Sequence, residues 1–388
     1  MKLKELTTEK LKALYSNLLK TKLTANSSAH YWGLTLFLFP FYFKPGHDFV
    51  TSRMMLLGAL TAGSICLFES SKRLPVYKSL CLMTLALMAV FTRFNHVIRL
   101  TDKSQYHFAM SILKDTHINI LLQVFSVIIG VILFSHFYGI INKRFLKTVS
   151  KYLCVACIAH SVFIFTDHFN ISYYDLLATP GKKGAYAGVL ANSGYSGLYI
   201  ASTLPFVISI FWPLVVFPLT AIILLTVFQT SITPILMVGV IFMTLLLYRN
   251  WRFIFLGLIG IPFLPKAWEH FLSDARIPNW LVAWDNFKHY FLGEGVGWMV
   301  GHYFHQPQKA NPFNKMHNDY FELLVVFGIL GFCLLIPFFK NILKRSVWEY
   351  HASLLAVMFG SLFWFSFHLP SIVGVSLMSI ALINRRDI

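Results

Sequence analysis

The side chains able to do chemistry gather in one stretch, Leu292 to Phe332, which reads LGEGVGWMVGHYFHQPQKANPFNKMHNDYFELLVVFGILGF. His317, Asn318, Asp319 and Glu322 sit where a polar, glycine- and histidine-rich segment gives way to a strongly apolar helix. A histidine at a helix start lies among free backbone N–H groups and the positive end of the helix dipole, which disfavour its protonated form. A neutral imidazole so placed is a general base able to take a proton from a hydroxyl near neutral pH. Asp319 pulls in the opposite sense. The same spacing also suits an interfacial histidine with Asn318 as the helix cap. Glu322, one turn further in, would orient the base or bind a sugar hydroxyl, or else complement the dipole as a solvated first-turn carboxylate.

Around this junction lie other residues with a chemical reading. Arg276, in SDARIPNW, has the bidentate fork suited to phosphate oxygens, and a lipid headgroup would use it equally well. Lys315, with Lys182, Lys183, Lys266, Lys288 and Lys309, makes the surrounding loops basic, which suits an anionic lipid-linked substrate. His302 and His305 have metal-compatible spacing, but no H-E-x-x-H or cysteine pair accompanies them, so no metal is expected. Gly293, Gly295 and Gly297 follow no strand and are no nucleotide-binding loop; they read as tight turns that bring backbone close to something. Gly328 and Gly331, with Leu324 and Leu335, read as a smooth face for close helix packing.

The elements that must hold these residues are apolar helices. Hydrophobic residues make up 56% of the 388-residue chain and charged residues 13%, against about a quarter charged in a soluble domain. The apolar runs approach the roughly 20 residues that cross a bilayer. The fold expected is therefore all-α and polytopic, with about twelve spans near 29-44, 52-69, 76-92, 118-140, 149-166, 188-210, 212-230, 233-249, 252-265, 319-340, 350-368 and 370-384. Between the ninth and tenth runs an amphipathic helix is expected from Ile277, with apolar residues at 277, 280, 281, 284, 287 and 291 and Trp280 and Trp284 suited to the membrane interface. Cys154 and Cys157, a C-x-x-C, read as two small apolar residues one turn apart in a spanning helix.

Charge sets the expected orientation. The net charge of +17 is dispersed through loops between apolar runs rather than packed into one stripe, so it argues for membrane lipids and against nucleic acid. With a cytoplasmic N-terminus, 20 of the 33 Lys and Arg fall in inner segments and 13 in outer ones, which favours both termini inside. Residues 1-28 then form a basic amphipathic segment on the cytoplasmic surface, 29-265 the first nine spans, 266-318 a large periplasmic loop, and 319-388 the last three spans and a short tail. Outer segments long enough to carry structure are about 93-117, 167-187 and 266-318.

His317-Asn318, nine residues, Gly328, two residues and Gly331 resemble the H-N-x9-G-x-x-G signature of the bacterial O-antigen ligase family, within the wider group that includes O-antigen polymerases. Arg276 with Trp280, and then Gly293, Gly295 and Gly297, resemble that family's R-x-x-x-W and G-x-G-x-G run. Asn192, Tyr199, Leu204 and Pro205 resemble its N-x6-Y-x4-L-P helix. The resemblance covers most of residues 185-335, the first third of the chain matching in hydropathy alone. It implies a GT-C-like membrane fold in the bacterial inner membrane. It also implies metal-independent, cofactor-free transfer of a glycan from an undecaprenyl-diphosphate donor on the periplasmic face. The acceptor would be a sugar hydroxyl of lipid A-core for a ligase, or another lipid-linked repeat unit for a polymerase. It gives His317 the role of base on the acceptor and Arg276 the donor diphosphate; beside them, Lys315 as a nearby cation would join Arg276, and Asn318, Asp319, Glu322, Gly295 and Gly297 would position substrate. The family's second arginine, in the turn FQTSITP, is here Ser231.

Overall fold

The computed structural model describes residues 25–41, 49–68, 70, 72–90, 106–169, 190, 192–211, 222–223, 225–227, 232–249, 277–295, 318–342, 347–363, 366 and 369–385. Among the described residues the chain is helical, without β-strands. We number the helices α1 (Ala25–Leu38), α2 (Phe49–Leu67), α3 (Val76–Val90), α4 (Tyr106–Ile140), α5 (Lys143–His168), α6 (Ser193–Phe211), α7 (Ile232–Arg249), α8 (Ile277–His289), α9 (Asp319–Phe339), α10 (Trp348–Gly360) and α11 (Pro370–Ile383). Stretches within four of them, Gln123–Ile140, Lys143–Asp167, Ser193–Phe211 and Asp319–Phe339, are long and apolar enough to cross a membrane; Met55–Leu67, Val76–Val90, Ile232–Tyr248 and Ser371–Ile383 are apolar but shorter. The runs expected at 252-265 and over most of 212-230 lie outside the described residues, as does the N-terminal segment before residue 25.

Several helices differ in extent from their apolar runs; α5, for one, starts at Lys143, six residues before its run, and α6 at Ser193, five residues after its own. α4 begins at Tyr106, inside the segment expected to be an outer loop, because no Gly or Pro interrupts the chain between Tyr106 and Gly130. α10 ends at Gly360, where a turn over 361–363 breaks a run expected to continue to 368, and Pro370 then opens α11 at its first turn, where its missing N–H costs nothing.

α6 is the buried centre, flanked by α5, α7 and α10, while α1 packs on α5, and α11 bridges α10 to α4. Its polar groups are used inside the bundle, as they must be where water is absent. Asn192 accepts from Tyr195 N at 3.2 Å to start the helix, and the buried Tyr199 hydroxyl donates to Leu36 O. Elsewhere Trp32 Nε1 donates to Ser64 Oγ at 2.8 Å, and Ser64 Oγ lies 2.7 Å from His136 Nε2. Cys154 and Cys157 are buried free thiols, and Cys157 donates to Ile200 O.

The segments that the charge count assigns to one side meet at one end of the bundle. Arg385 donates to Tyr138 O, Tyr350 OH to Leu146 O, and Lys78 to Asn384 Oδ1. The start of α9 is hydrogen-bonded to the end of α10 and the turn that follows it.

Candidate functional site

Asn318 builds the start of α9. Its extended backbone places the side chain to accept from Tyr320 N at 3.0 Å and Phe321 N at 3.1 Å, which satisfies two of the helix's otherwise open amides. The same amide group donates from Nδ2 to Leu362 O at 2.9 Å. Asp319 N donates to Ser361 O at 2.9 Å, and the Tyr320 hydroxyl to Met358 O at 2.8 Å. The residue pair Asn318-Asp319 is thus buried and bolted to the end of α10, and Glu322, half-buried, follows in the same first turn. Carboxylates there complement the helix dipole. The cap expected of Asn318 is present; it makes a helix start that cannot tilt independently of α10.

Replacing Asn318 with Ala removes both accepted bonds and the donated one. We expect a loss of about 1–2 kcal/mol, read as a lower melting temperature of the purified protein. Asn318→Asp keeps the acceptor but not the donor and should fall between the two. Equal melting of all three proteins would show that the cap contributes nothing.

Half way along, α9 is broken. Gly328, the tenth of its 21 residues, has φ 61° and ψ −165°, so the helix stops and restarts. Gly293 and Gly295 also take positive φ, 88° and 93°. The three glycines serve one contact. Glu294 N donates to Val325 O at 2.8 Å, Gly295 N to Val326 O at 3.0 Å, and Ile329 N to Phe291 O at 3.1 Å. In an unbroken helix Val325 O would accept from Ile329 N; here segment 291–295 takes both groups. A Cβ on Gly293 would stand 2.6 Å from Gly328 N and Val326 O, and one on Gly328 would overlap the Leu292 carbonyl carbon and the Phe291 oxygen. Neither approach is open to a residue with a side chain.

Gly293 and Gly295 do therefore bring backbone close to a partner, and that partner is α9. Gly328 departs from the smooth packing face expected of it: it marks a gap in the helix that a loop fills. Gly331, just beyond, remains helical and sits tight against Phe327.

α8 delivers the loop. The helix expected from Ile277 is present, with Lys288 and His289 in its last turn, where positive charge suits the dipole, and Lys288 pairs with Asp285 at 3.3 Å. Ala283 and Phe287 are buried, while Leu281, Trp284, Phe291 and Leu292 are exposed. The Trp280 ring lies 6.0 Å from Phe321 near the start of α9, whereas Phe291 to Gly295 contact its middle. The helix runs alongside the first half of α9 rather than across its end. On the other side Phe327 packs with Leu85 and Ala89 of α3 and Val124 of α4.

The site residues thus fall in two places on one helix. Asn318, Asp319 and Glu322 stand at its start, and Gly295 meets it about eight residues on, roughly 12 Å along the axis. His317, Arg276, Lys315 and Gly297 lie outside the described residues, as do Ser231, Lys182, Lys183, Lys266, Lys309, His302 and His305. Among the described residues no three His, Cys, Asp or Glu side chains converge as metal ligands. One residue that sequence reasoning passed over is Glu294, buried at the break between two positive-φ glycines. Its signal was present: the chain has only 16 acidic residues, and this one stands inside G-E-G.

No family model, curated protein or solved structure matches the chain.

Proposed function

We propose that the chain is a membrane-embedded glycosyltransferase of the O-antigen ligase type, with a GT-C-like arrangement of about twelve spans and its site on the periplasmic face of the bacterial inner membrane. The observation that carries this reading is the docking of Gly293–Gly295 onto the break at Gly328, because it joins two separate stretches that resemble that family's signature into one substructure. His317 takes the proton from the acceptor hydroxyl as its oxygen attacks the anomeric carbon of the donor. The bond to the diphosphate breaks, and the leaving undecaprenyl diphosphate keeps the electron pair. Arg276 and Lys315 stabilise that developing charge, and a lysine such as Lys182 or Lys183 supplies the cation missing at Ser231. Asn318, Asp319 and Glu322 hold the base and the acceptor sugar at the capped helix start.

The polymerase reading uses the same chemistry with a lipid-linked acceptor. A lipid-linked glycan transporter is the reading from another class, and one observation favours it: a helix broken half way, with the buried Glu294 beside the break, is an arrangement that transporters use. Purified protein in vesicles, given lipid-linked donor and lipid A-core first without and then with an ion gradient, distinguishes the three. Glycan on lipid A-core is the expected product. Lengthening of the lipid-linked donor alone would favour the polymerase, and gradient-dependent movement of unaltered donor would replace transfer with transport.

A further inference from the structure

We infer that the exposed face of α5 binds an acidic membrane phospholipid, its phosphate held by Arg144, Lys147 and Lys151 and its acyl chains lying along Val155, Val162 and Phe165. All six side chains are exposed. They recur at i, i+3, i+7, i+11, i+18 and i+21, spacings close to whole turns of a 3.6-residue helix, so they form one stripe. The opposite face, with Phe145, Val149, Leu153, Cys157 and Ile164, is buried where α5 packs on α1 and α6. The early start of α5 creates this stripe. In the apolar run alone the cations precede the helix; with α5 beginning at Lys143 they ride on its first turns, in register with the apolar residues beyond.

The charges on the stripe are not cancelled. Among the described residues, the side chains of Arg144, Lys147 and Lys151 make no hydrogen bond or ion pair. The first turn of α5 holds no acidic residue, and the sequence has none between Asp115 and Asp167. Lys143 and Arg144 therefore stand at the positive end of the helix dipole without a carboxylate beside them, where an anion is favoured. Asn142 caps that turn, its Oδ1 accepting from Phe145 N at 2.9 Å, so the anion is left to the cationic side chains.

The neighbouring α1 turns from polar to apolar at the same level. His30 Nδ1 lies 3.1 Å from Tyr152 OH, and further on the Phe41 and Phe163 rings meet at 5.6 Å, so the two helices run parallel. His30 is exposed at the level of the cations, and Leu34 and Leu38 are exposed between the two contacts. A lipid, rather than free phosphate, fits because apolar surface begins on both helices directly beyond the charges. From Val155 to Phe165 the stripe runs roughly 15 Å at 1.5 Å per residue. That is half of a hydrocarbon core of about 30 Å, the depth of one leaflet. Cations gathered at the end of such a track attract acidic headgroups. The site needs α5 to cross a membrane and does not depend on glycan transfer.

The test uses the full chain purified in neutral detergent and titrated with phosphatidylglycerol, phosphatidylcholine or inorganic phosphate, with binding read by native mass spectrometry and by the melting temperature. Phosphatidylglycerol is expected to bind and to raise the melting temperature, and the other two to do neither. The Lys147→Gln/Lys151→Gln protein should melt as the wild type does without lipid and bind phosphatidylglycerol about thirtyfold more weakly. Lys147→Arg/Lys151→Arg should keep the binding, and so should Lys288→Gln, which removes an exposed cation from α8 instead. If the double glutamine variant does not fold, Lys151→Gln alone should weaken binding about fivefold. Equal binding of phosphatidylcholine, full competition by inorganic phosphate at equal concentration, unchanged binding by the glutamine variants of α5, or an equal loss in Lys288→Gln would each overturn the site.

Discussion

A strain whose only copy of the protein carries His317→Ala, made at the wild-type level, is expected to lose attached glycan from its lipopolysaccharide. In purified form the variant should transfer at a rate lower by about 10²–10⁴-fold, the usual contribution of a positioned general base. Loss of a proton acceptor acts on the transition state, so kcat should fall far more than KM rises. The wild-type rate should also decline toward acid pH as the base becomes protonated, and the residual rate of His317→Ala should lack that acid limb. The capped start of α9 sharpens the interpretation, because Asn318 and Asp319 are anchored to Leu362 and Ser361 independently of the side chain at 317. Normal ladders from fully expressed variant protein would remove His317 from the mechanism.

Gly328→Ala is expected to destabilise the protein by about 3–5 kcal/mol. A φ of 61° with ψ of −165° is a glycine conformation, and a side chain there costs about 1–3 kcal/mol in strain alone. The added Cβ would also overlap the Leu292 carbonyl carbon and lie 2.5 Å from Gly293 N, so segment 291–295 must withdraw. Its three hydrogen bonds to α9 then open, each group left without a partner costing roughly 1–3 kcal/mol away from water. Gly239→Ala in α7 is the matched control: its Cβ would meet nothing within 4 Å, and alanine in a helix interior should be neutral or add up to about 1 kcal/mol. Melting temperatures in detergent compare the two directly. A Gly328→Ala protein as stable as Gly239→Ala would mean that α9 closes into a continuous helix at little cost, and that the loop contact is incidental.

Much of the helical framework was legible because hydropathy is a local property. The starts of α7, α9 and α11 fall within a residue of their apolar runs. α8 appeared from the spacing of Ile277, Trp280, Trp284 and Phe287, and the cap at Asn318 from its residue type ahead of an apolar run. Where a boundary was missed, a local signal was outweighed. Residues 93-117 were expected as an outer segment, yet without Gly or Pro to stop it the helix runs back to Tyr106. α10 ends inside an apolar run at the Ser361 turn, whose carbonyl accepts Asp319 N from α9.

The sequence by itself determined that the chain is a set of apolar helices, which ends of them carry positive charge, and which residue starts α9. Each of these follows from side-chain transfer energies and caps acting within a few residues. Only the tertiary structure decided that α9 is interrupted, since an apolar run reads the same whether its helix is whole or broken. Gly328 takes a positive φ because Gly293 to Gly295, more than thirty residues earlier, supply the hydrogen bonds its own helix gives up. The gathering of Lys78, Lys340 and Arg385 around Tyr77, Phe338 and Tyr138 is likewise invisible along the chain. Spacing records which residues are near in sequence, and both features depend on which helix ends packing brings together.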